Sequence, residues 1–342
     1  MGLGGACLPL RDHQPMSYRS MRLALLAAFF CLALAMPAQA QDKVRLQLHW
    51  VHQAQFAGFY LAQDAGIYRE AGLEVDIVPG GPGIDSLQNL AQGKCHFATG
   101  WLSGAMEYRD QGFPLVLMAQ LIQRSALLLI TFKDHDIDSI KELDGQRVGL
   151  WGGHFNIQPR ALFKGAGIAV KEIPQNVSMA PLLEQAVSAA SGMYYNEYHQ
   201  LYQAGVDYDE LRVFEFSKLG LNFPEDGIYG LESLRRQNPD LCGRFIAASL
   251  AGWRLTFEQP DRALEAVMKR VDAAQLASNA GHQRWMLNAT QELITHRVGR
   301  QGLGQLSPRD FSLVNRVLVD QGLLRKPVAL ASFYQPPPEK RP

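Results

Sequence analysis

Apolar residues along this chain switch between two periods, and the switch recurs as strand then helix. Val44, Leu46 and Leu48 fall two apart, which predicts a strand, while Phe56, Phe59, Tyr60 and Ile67 recur at helical spacing until Gly72 stops them. Glu74 to Val78 predicts a second strand, Asp85 caps a helix running to Gln92, and His96 to Thr99 is a short strand. A helix over Leu102 to Asp110 and a strand over Leu115 to Leu121 complete four strand-helix steps, the pattern of an α/β fold with a largely parallel sheet.

A second unit begins at the apolar run Ala126 to Phe132. Arg147 to Leu150 predicts a strand running into Trp151-Gly152-Gly153, followed by a helix over Gln158 to Lys164. Gly192 to Tyr195 ends another strand before a helix over Glu197 to Ala204, and Leu211 to Phe216 is the next strand. After the turn-rich LNFPEDG, Ile228-Tyr229-Gly230 carries the chain back to the first unit. The rest is helical: Leu231 to Gln237, Leu241 to Glu258, Arg262 to Ala277, His282 to Thr295 and Pro308 to Gln321. About 300 residues exceed one core, so two lobes are expected.

The first forty residues change the picture by assigning a compartment. Arg19 and Arg22 precede an apolar run from Leu23 to Ala35, and Ala38-Gln39-Ala40 supplies a cleavage pattern, so residues 1–40 read as a signal peptide, with Met21 as an alternative start. The run is too short to span a bilayer as a helix. The lobe boundaries expected after it are 41–126 for the first part of lobe one, 127–228 for lobe two and 229–334 for the helical second part of lobe one. A proline-rich tail, 335–342, is expected to be disordered.

Charge and cysteine content exclude some classes. The full chain carries 33 basic and 33 acidic residues, and losing the leader makes it about two charges negative, without the basic excess of a nucleic-acid binder. Cleavage also removes Cys7 and Cys31, leaving Cys95 and Cys242 either to pair or to stay as two buried small hydrophobes.

The expected strand ends carry the candidate chemistry. Trp50, His52, Gln55 and Phe56 follow the first strand, Gly80 and Gly81 the second, and Gly100 and Trp101 the third. Lobe two offers Trp151, Gly152 and Gly153, then Tyr195, Asn196 and Glu197. In open α/β sheets ligands bind beyond the carboxyl ends of strands, where rings supply flat walls, glycines admit close backbone approach, and Asn or Glu orients a polar edge. The plainer readings are that Trp50 and Trp101 pack in the core and that Gly80 to Gly83 is a tight turn, which lacks the lysine of a phosphate loop. Glu197 can cap its own helix or accept from a ligand N–H. His49 and His52 have no third ligand nearby, so no metal is expected.

LQLHWVHQAQFAGFYLAQDAGIYREAGLEV, KELDGQRVGLWGG, the YYNE at 194–197 and NPDLCGRFIAASLAGWRLTFEQPDRAL resemble the thiamine-pyrimidine-synthase-like, SsuA-like group of periplasmic substrate-binding proteins. That group includes nitrate, sulfonate, taurine and formylaminopyrimidine binders of ABC importers. The resemblance implies an α/β type 2 periplasmic binding fold: two lobes joined by two crossings, with a ligand cleft that closes by a hinge. The strand-end rings and polar groups themselves suit a small, flat heterocyclic or related ligand that docks on Trp50, Phe56 and Trp101, with closure bringing Trp151, Tyr195, Asn196 and Glu197 to its other side. The resemblance adds an inner-membrane ABC permease as partner of a periplasmic monomer, and no cofactor, metal or nucleic acid is expected.

The same group includes a pyrimidine synthase that consumes its own residues. By the L-x-W alignment, its histidine would fall at Phe56, its cofactor-bearing lysine near Gly100 and its cysteine run near Leu221 to Glu225. None is retained, and neither a phenyl ring nor a glycine can perform that chemistry, so binding without catalysis is expected. The stretch HQAQFAGFY is also similar to sensing modules of signalling proteins, which leaves capture for a membrane sensor as the alternative.

Overall fold

The computed structural model describes Met1 and residues 41–334. Residues 2–40 and 335–342, on which the leader and tail expectations fall, lie outside them. Ten strands form two five-stranded sheets among the described residues. Lobe one holds β1 (Asp42–Gln47), β2 (Leu73–Val78), β3 (Phe97–Gly100) and β4 (Leu115–Ile122). Lobe two holds β5 (Leu127–Phe132), β6 (Arg147–Leu150), β7 (Lys171–Pro174), β8 (Ala189–Met193) and β9 (Leu211–Glu215), after which β10 (Glu225–Leu231) returns to the first sheet.

The strand orders are β2-β1-β3-β10-β4 and β7-β6-β8-β5-β9, so the two lobes share one plan. In each, four strands point one way and the fifth, β10 or β5, runs antiparallel to both of its neighbours. The largely parallel expectation thus needs a correction: both sheets are mixed. β5 and β10 are the strands fed directly by a crossing from the other lobe. Without a helical crossover to turn the chain round, each enters its sheet from the hinge side and runs the opposite way. The expected boundary between 228 and 229 falls inside β10. β7 has no counterpart in the periodicity, because KEIP is mostly exposed at a sheet edge and ends in a proline.

The helices that position the cleft are α1 (Ala57–Asp64), α2 (Ser86–Ala91), α3 (Leu102–Asp110), α4 (Ile157–Ala166), α5 (Glu197–Gln203), α6 (Pro239–Glu258), α7 (Pro260–Ala273), α8 (Ala280–Thr295) and α9 (Pro308–Asp320). Asp85 caps α2, accepting from Gln88 N at 3.0 Å. α6 opens on Pro239, whose fixed φ suits a first helical turn, and buries Phe245 against Phe97 at 4.1 Å.

Two glycines set how closely α1 and α6 pack. A Cβ on Gly252 would lie 2.2 Å from the Gly58 carbonyl oxygen, and one on Gly58 would lie 2.3 Å from the Trp253 ring. The helices therefore meet backbone to backbone, which anchors the loop leading from β1 into α1. Cys95 and Cys242 are buried free thiols, which decides the pairing question in favour of two separate small hydrophobes.

Candidate functional site

The loops at the carboxyl ends of the parallel strands of both sheets converge on one cavity of about 480 Å³. Lobe one contributes His49, Trp50, Gln53 and Gln55 after β1, Pro82 and Gly83 after β2, and Trp101 after β3. Lobe two contributes Trp151, Gly152 and Phe155 after β6, Gln175, Asn176 and Val177 after β7, Met193 at the end of β8, and Tyr195, Asn196 and Glu197 beyond it. Volume and lining fall in the range of small-molecule sites, mostly apolar with a few convergent polar groups.

Of the residues singled out from sequence, Trp50, Gln55, Trp101, Trp151, Gly152, Tyr195, Asn196 and Glu197 line the cavity. His52, Phe56, Gly80, Gly81, Gly100 and Gly153 do not. His52 Nδ1 pairs with Tyr60 Oη at 2.9 Å, under a ring that Arg270 covers at 4.6 Å. Phe56, expected to face the ligand, is core at 1% exposure, its ring edge-on to His49 at 5.2 Å.

The glycines serve the scaffold. A Cβ on Gly80 would sit 2.4 Å from Leu48 O and 2.7 Å from Trp50 N, so this residue lets the end of β2 press against the Trp50 loop. A Cβ on Gly100 would strike Leu87 of α2 at 2.8 Å. Gly81 and Gly153 take positive φ at turns. Strand-end position alone does not say whether a glycine faces a ligand or a neighbouring loop.

An aromatic group spans the cleft. Phe155 of lobe two stands edge-on between Trp101 of lobe one, at 4.6 Å and 72°, and Trp151 of its own lobe, at 5.7 Å and 73°. Trp151 Nε1 donates to Asn176 O at 2.9 Å, which holds the indole in place. Phe155 carries no signal in the apolar periodicity, because it sits in the short 3-10 turn Gly153–Asn156 between β6 and α4.

The polar floor lies on lobe one. His49 Nδ1 is 2.8 Å from Thr99 Oγ1, and its Nε2 is 3.2 Å from Asp226 Oδ1. Gln55 Nε2 donates to Asp226 Oδ2 at 2.7 Å, and Gln53 Nε2 to Gln55 Oε1 at 2.5 Å. Burial pushes His49 down to about 3 and Asp226 up to about 7, so both lean toward their neutral forms. Asp226 takes φ 56°, a left-handed conformation that aspartate tolerates better than most residues, which places its carboxyl beneath the floor.

Across the cleft, Glu197 is 5% exposed and burial pushes it up to about 7. Its Oε2 accepts from Met193 N at 2.9 Å and its Oε1 from Asn196 Nδ2 at 2.7 Å. Both oxygens thus fix the 193–197 turn, and a ligand would share one of them. Among the described residues no lysine or arginine lines the cavity, and no group of three His, Cys, Asp or Glu gathers to hold a metal.

The family model described as NMT1/THI5 like matches residues 53–263. A riboflavin-binding protein, RibY, of Chloroflexus aurantiacus is 29% identical over 86% of this chain and 85% of its own. A formylaminopyrimidine-binding protein of Halalkalibacterium halodurans is 26% identical over 75% and 79%. In fold, the periplasmic aliphatic sulphonate binding protein SsuA of Escherichia coli matches with a TM-score of 0.69 at 14% identity, covering 88% of this chain and 94% of that one. The expected two-lobed periplasmic binding fold is therefore the fold observed.

Proposed function

We propose, from the premise that this chain belongs to the NMT1/THI5-like family, that it is a periplasmic solute-binding protein that captures a flat, uncharged heterocycle and delivers it to an ABC importer. The observation that carries this reading is the make-up of the cleft wall. Trp50, Trp101, Trp151, Phe155 and Tyr195 supply ring faces and edges, and no lysine or arginine lines the space. A buried sulfonate, nitrate or phosphate loses its hydration and needs a cation or several N–H donors in return. A conjugated heterocycle needs neither: it gains from aromatic contact and from amides at its edges, here Gln53, Gln55, Asn176 and Asn196.

Two relatives point the same way, one named for riboflavin and one for formylaminopyrimidine, both conjugated nitrogen heterocycles. Rings contributed by both lobes around about 480 Å³ suit the larger tricyclic flavin better than a single pyrimidine ring. Riboflavin is therefore the ligand we assign. It docks on lobe one against Trp50 and Trp101, and closure brings Trp151, Phe155 and Tyr195 to its other side. Moving the open-closed balance from 1:99 to 99:1 needs about 5.5 kcal/mol of preferential binding to the closed form, within reach of one buried stack and several hydrogen bonds. No step is chemical, and the closed monomer is what the permease would recognise.

The test is titration of the mature protein, followed by melting temperature and tryptophan fluorescence. Riboflavin should stabilise the protein and quench its tryptophans, while riboflavin 5′-phosphate should bind at least about tenfold more weakly, since the cleft offers its phosphate no counter-charge. Preferential binding of an alkanesulfonate or nitrate, or turnover of any of these compounds, would overturn the assignment.

A further inference from the structure

Two neighbouring residues of α8 grip the two walls of the cleft. Gln283 Oε1 accepts from Ala54 N at 2.6 Å, between the cavity-lining Gln53 and Gln55 of lobe one. His282, one residue earlier, reaches lobe two: its Nε2 lies 2.8 Å from Asn196 Oδ1, and its Nδ1 lies 2.8 Å from Nδ1 of His199 on α5. The two imidazoles stack at 5.1 Å and 21°, and His199 stacks in turn on Trp285 of α8 at 4.9 Å and 8°.

The hydrogen bonds set the direction of every proton in this chain. Asn196 Nδ2 donates to Glu197 Oε1, so its amide oxygen is the atom facing His282. An amide oxygen only accepts, so neutral His282 carries its proton on Nε2, its Nδ1 accepts, and His199 donates from Nδ1. Donation runs from His199 to His282 to Asn196 to the Glu197 carboxylate in the cleft wall. The link from α8 to α5 exists only while the lobes are together.

We propose that His282 is a positioning residue that orients the cleft-lining amide of Asn196 upon closure, and that with His199 it forms a proton-sensitive clasp holding the closed form over its ligand. The proposal rests on the reading of the cleft as a ligand site. One added proton is accommodated, because His199 can shift its hydrogen to Nε2 and accept from a cationic His282. A second leaves two N–H groups and two positive charges face to face, and the clasp is lost.

The groups facing the pair do not supply compensation. Tyr202 stacks on His199, Tyr198 and Tyr208 continue the same stack, Glu197 lies behind Asn196, and Arg284 of α8 is engaged by Asp261 of α7. Among the described residues no carboxylate bonds to either imidazole. Burial, then the neighbouring His199, pushes His282 down to about 4, and burial lowers His199 as well. The closed form therefore holds fewer protons than an open form with exposed imidazoles near 6.5. Its advantage is complete above pH 6.5 and is lost as pH falls toward 4.

The experiment uses the mature chain with fluorophores on Leu183→Cys in lobe two and Leu323→Cys in lobe one, both exposed positions, while the native thiols stay buried. Inter-lobe distance is read without ligand, and riboflavin affinity is read separately, each at pH 7.5 and pH 5. The parent protein should open at pH 5 and bind riboflavin about tenfold more weakly there. H199F, which keeps the stack on Trp285 but cannot donate, should be more open at pH 7.5 and show a flattened pH profile. H199N, whose amide can donate to His282 without titrating, should restore closure at pH 7.5 and lose less at pH 5.

Equal closure and affinity of H199F and the parent at both pH values would overturn the clasp. So would a parent that binds riboflavin with pH-independent affinity and separation. A parent that opens with acid as described yet ignores riboflavin would sink the ligand assignment and leave the clasp standing.

Discussion

The two seams that join the lobes are built on opposite principles. At the hinge, Glu225 Oε1 accepts from Ser125 Oγ at 2.7 Å and Ala126 N at 2.9 Å, tying the return crossing to the outgoing one. Asn222 adds two bonds to the same segment, accepting from Ser125 N and donating to Gln123 O, and Gln158 Nε2 reaches both Ser125 Oγ and Leu221 O. These groups are buried and mostly bond backbone. At the rim, bonds join separate elements of the two lobes: Lys164 Nζ donates to Asp320 O at 2.9 Å and Gln321 Nε2 to Ile157 O at 2.8 Å, while His199 meets His282, and His154 meets Glu107 of α3 at 3.0 Å, the latter pair 32% and 17% exposed. A hinge must survive every opening, so its bonds lie within the crossings. A rim must let go, so its bonds lie between elements that separate on opening and, at His199 and His282, involve titratable groups.

The hinge should be the costlier seam to damage. Glu225→Ala strands Ser125 Oγ and Ala126 N in the interior and should destabilise the fold by about 3 kcal/mol in urea unfolding. Glu225→Gln should cost less than about 1 kcal/mol, because burial already pushes this carboxyl up to about 8 and favours its neutral form. A loss for Glu225→Gln as large as for Glu225→Ala would show that the hinge needs the anion.

Stability as a function of pH separates the seams next. Glu225, Asp226 and Glu197 are all raised by burial, so their contribution is complete below the ordinary carboxylate range and is lost as pH rises toward 7 to 8. His49 and His282 are lowered, so theirs is complete above 6.5 and fades as pH falls toward 3 to 4. The two trends oppose each other between 4.5 and 6.5, which leaves an unopposed decline between pH 6.5 and 8. Urea midpoints at those two pH values should fall for the parent and fall less for Glu225→Gln.

Trp101→Ala, which removes the lobe-one side of the aromatic bridge, should weaken riboflavin about tenfold by fluorescence titration while leaving the hinge's stability term intact. The smallest effect belongs to Glu107→Gln. Its pair with His154 is partly in solvent, so less than about 0.5 kcal/mol of unfolding free energy should change, and a larger loss would mean that the rim carries stability as well as closure.

Much of the fold was legible in the pattern of apolar residues. Nine of the ten strands and all the long helices lie within a few residues of their expected places, because burial leaves a mark on each, a period where one face is buried and an unbroken apolar run where both are, as in β4. β7 escaped because an exposed edge strand has no buried face to leave a period. The direction of β5 and β10 escaped because periodicity carries no sign. The aromatic half of the cleft was legible, since Trp50, Trp101, Trp151 and Tyr195 follow strand ends and lobe geometry carries them to one place. Phe56 and the glycines of the expected strand ends were misread because a ring or a bare backbone beyond a strand serves a ligand or a neighbour equally well. Gln175, Asn176 and Val177 were invisible for the same reason as β7, whose carboxyl end presents them.

Trp50, Trp101 and Trp151 at strand ends, and the absence of a basic excess, were decided residue by residue along the chain. Local periodicity and composition depend only on neighbours within a few positions. The His199–His282–Asn196 relay, the cross-strapped crossings at Glu225 and the carboxyl of Asp226 under the cleft floor join residues far apart in sequence. Only the tertiary structure decides those, because a histidine or a buried carboxylate takes its chemistry from the groups that packing brings against it and from the water that packing removes.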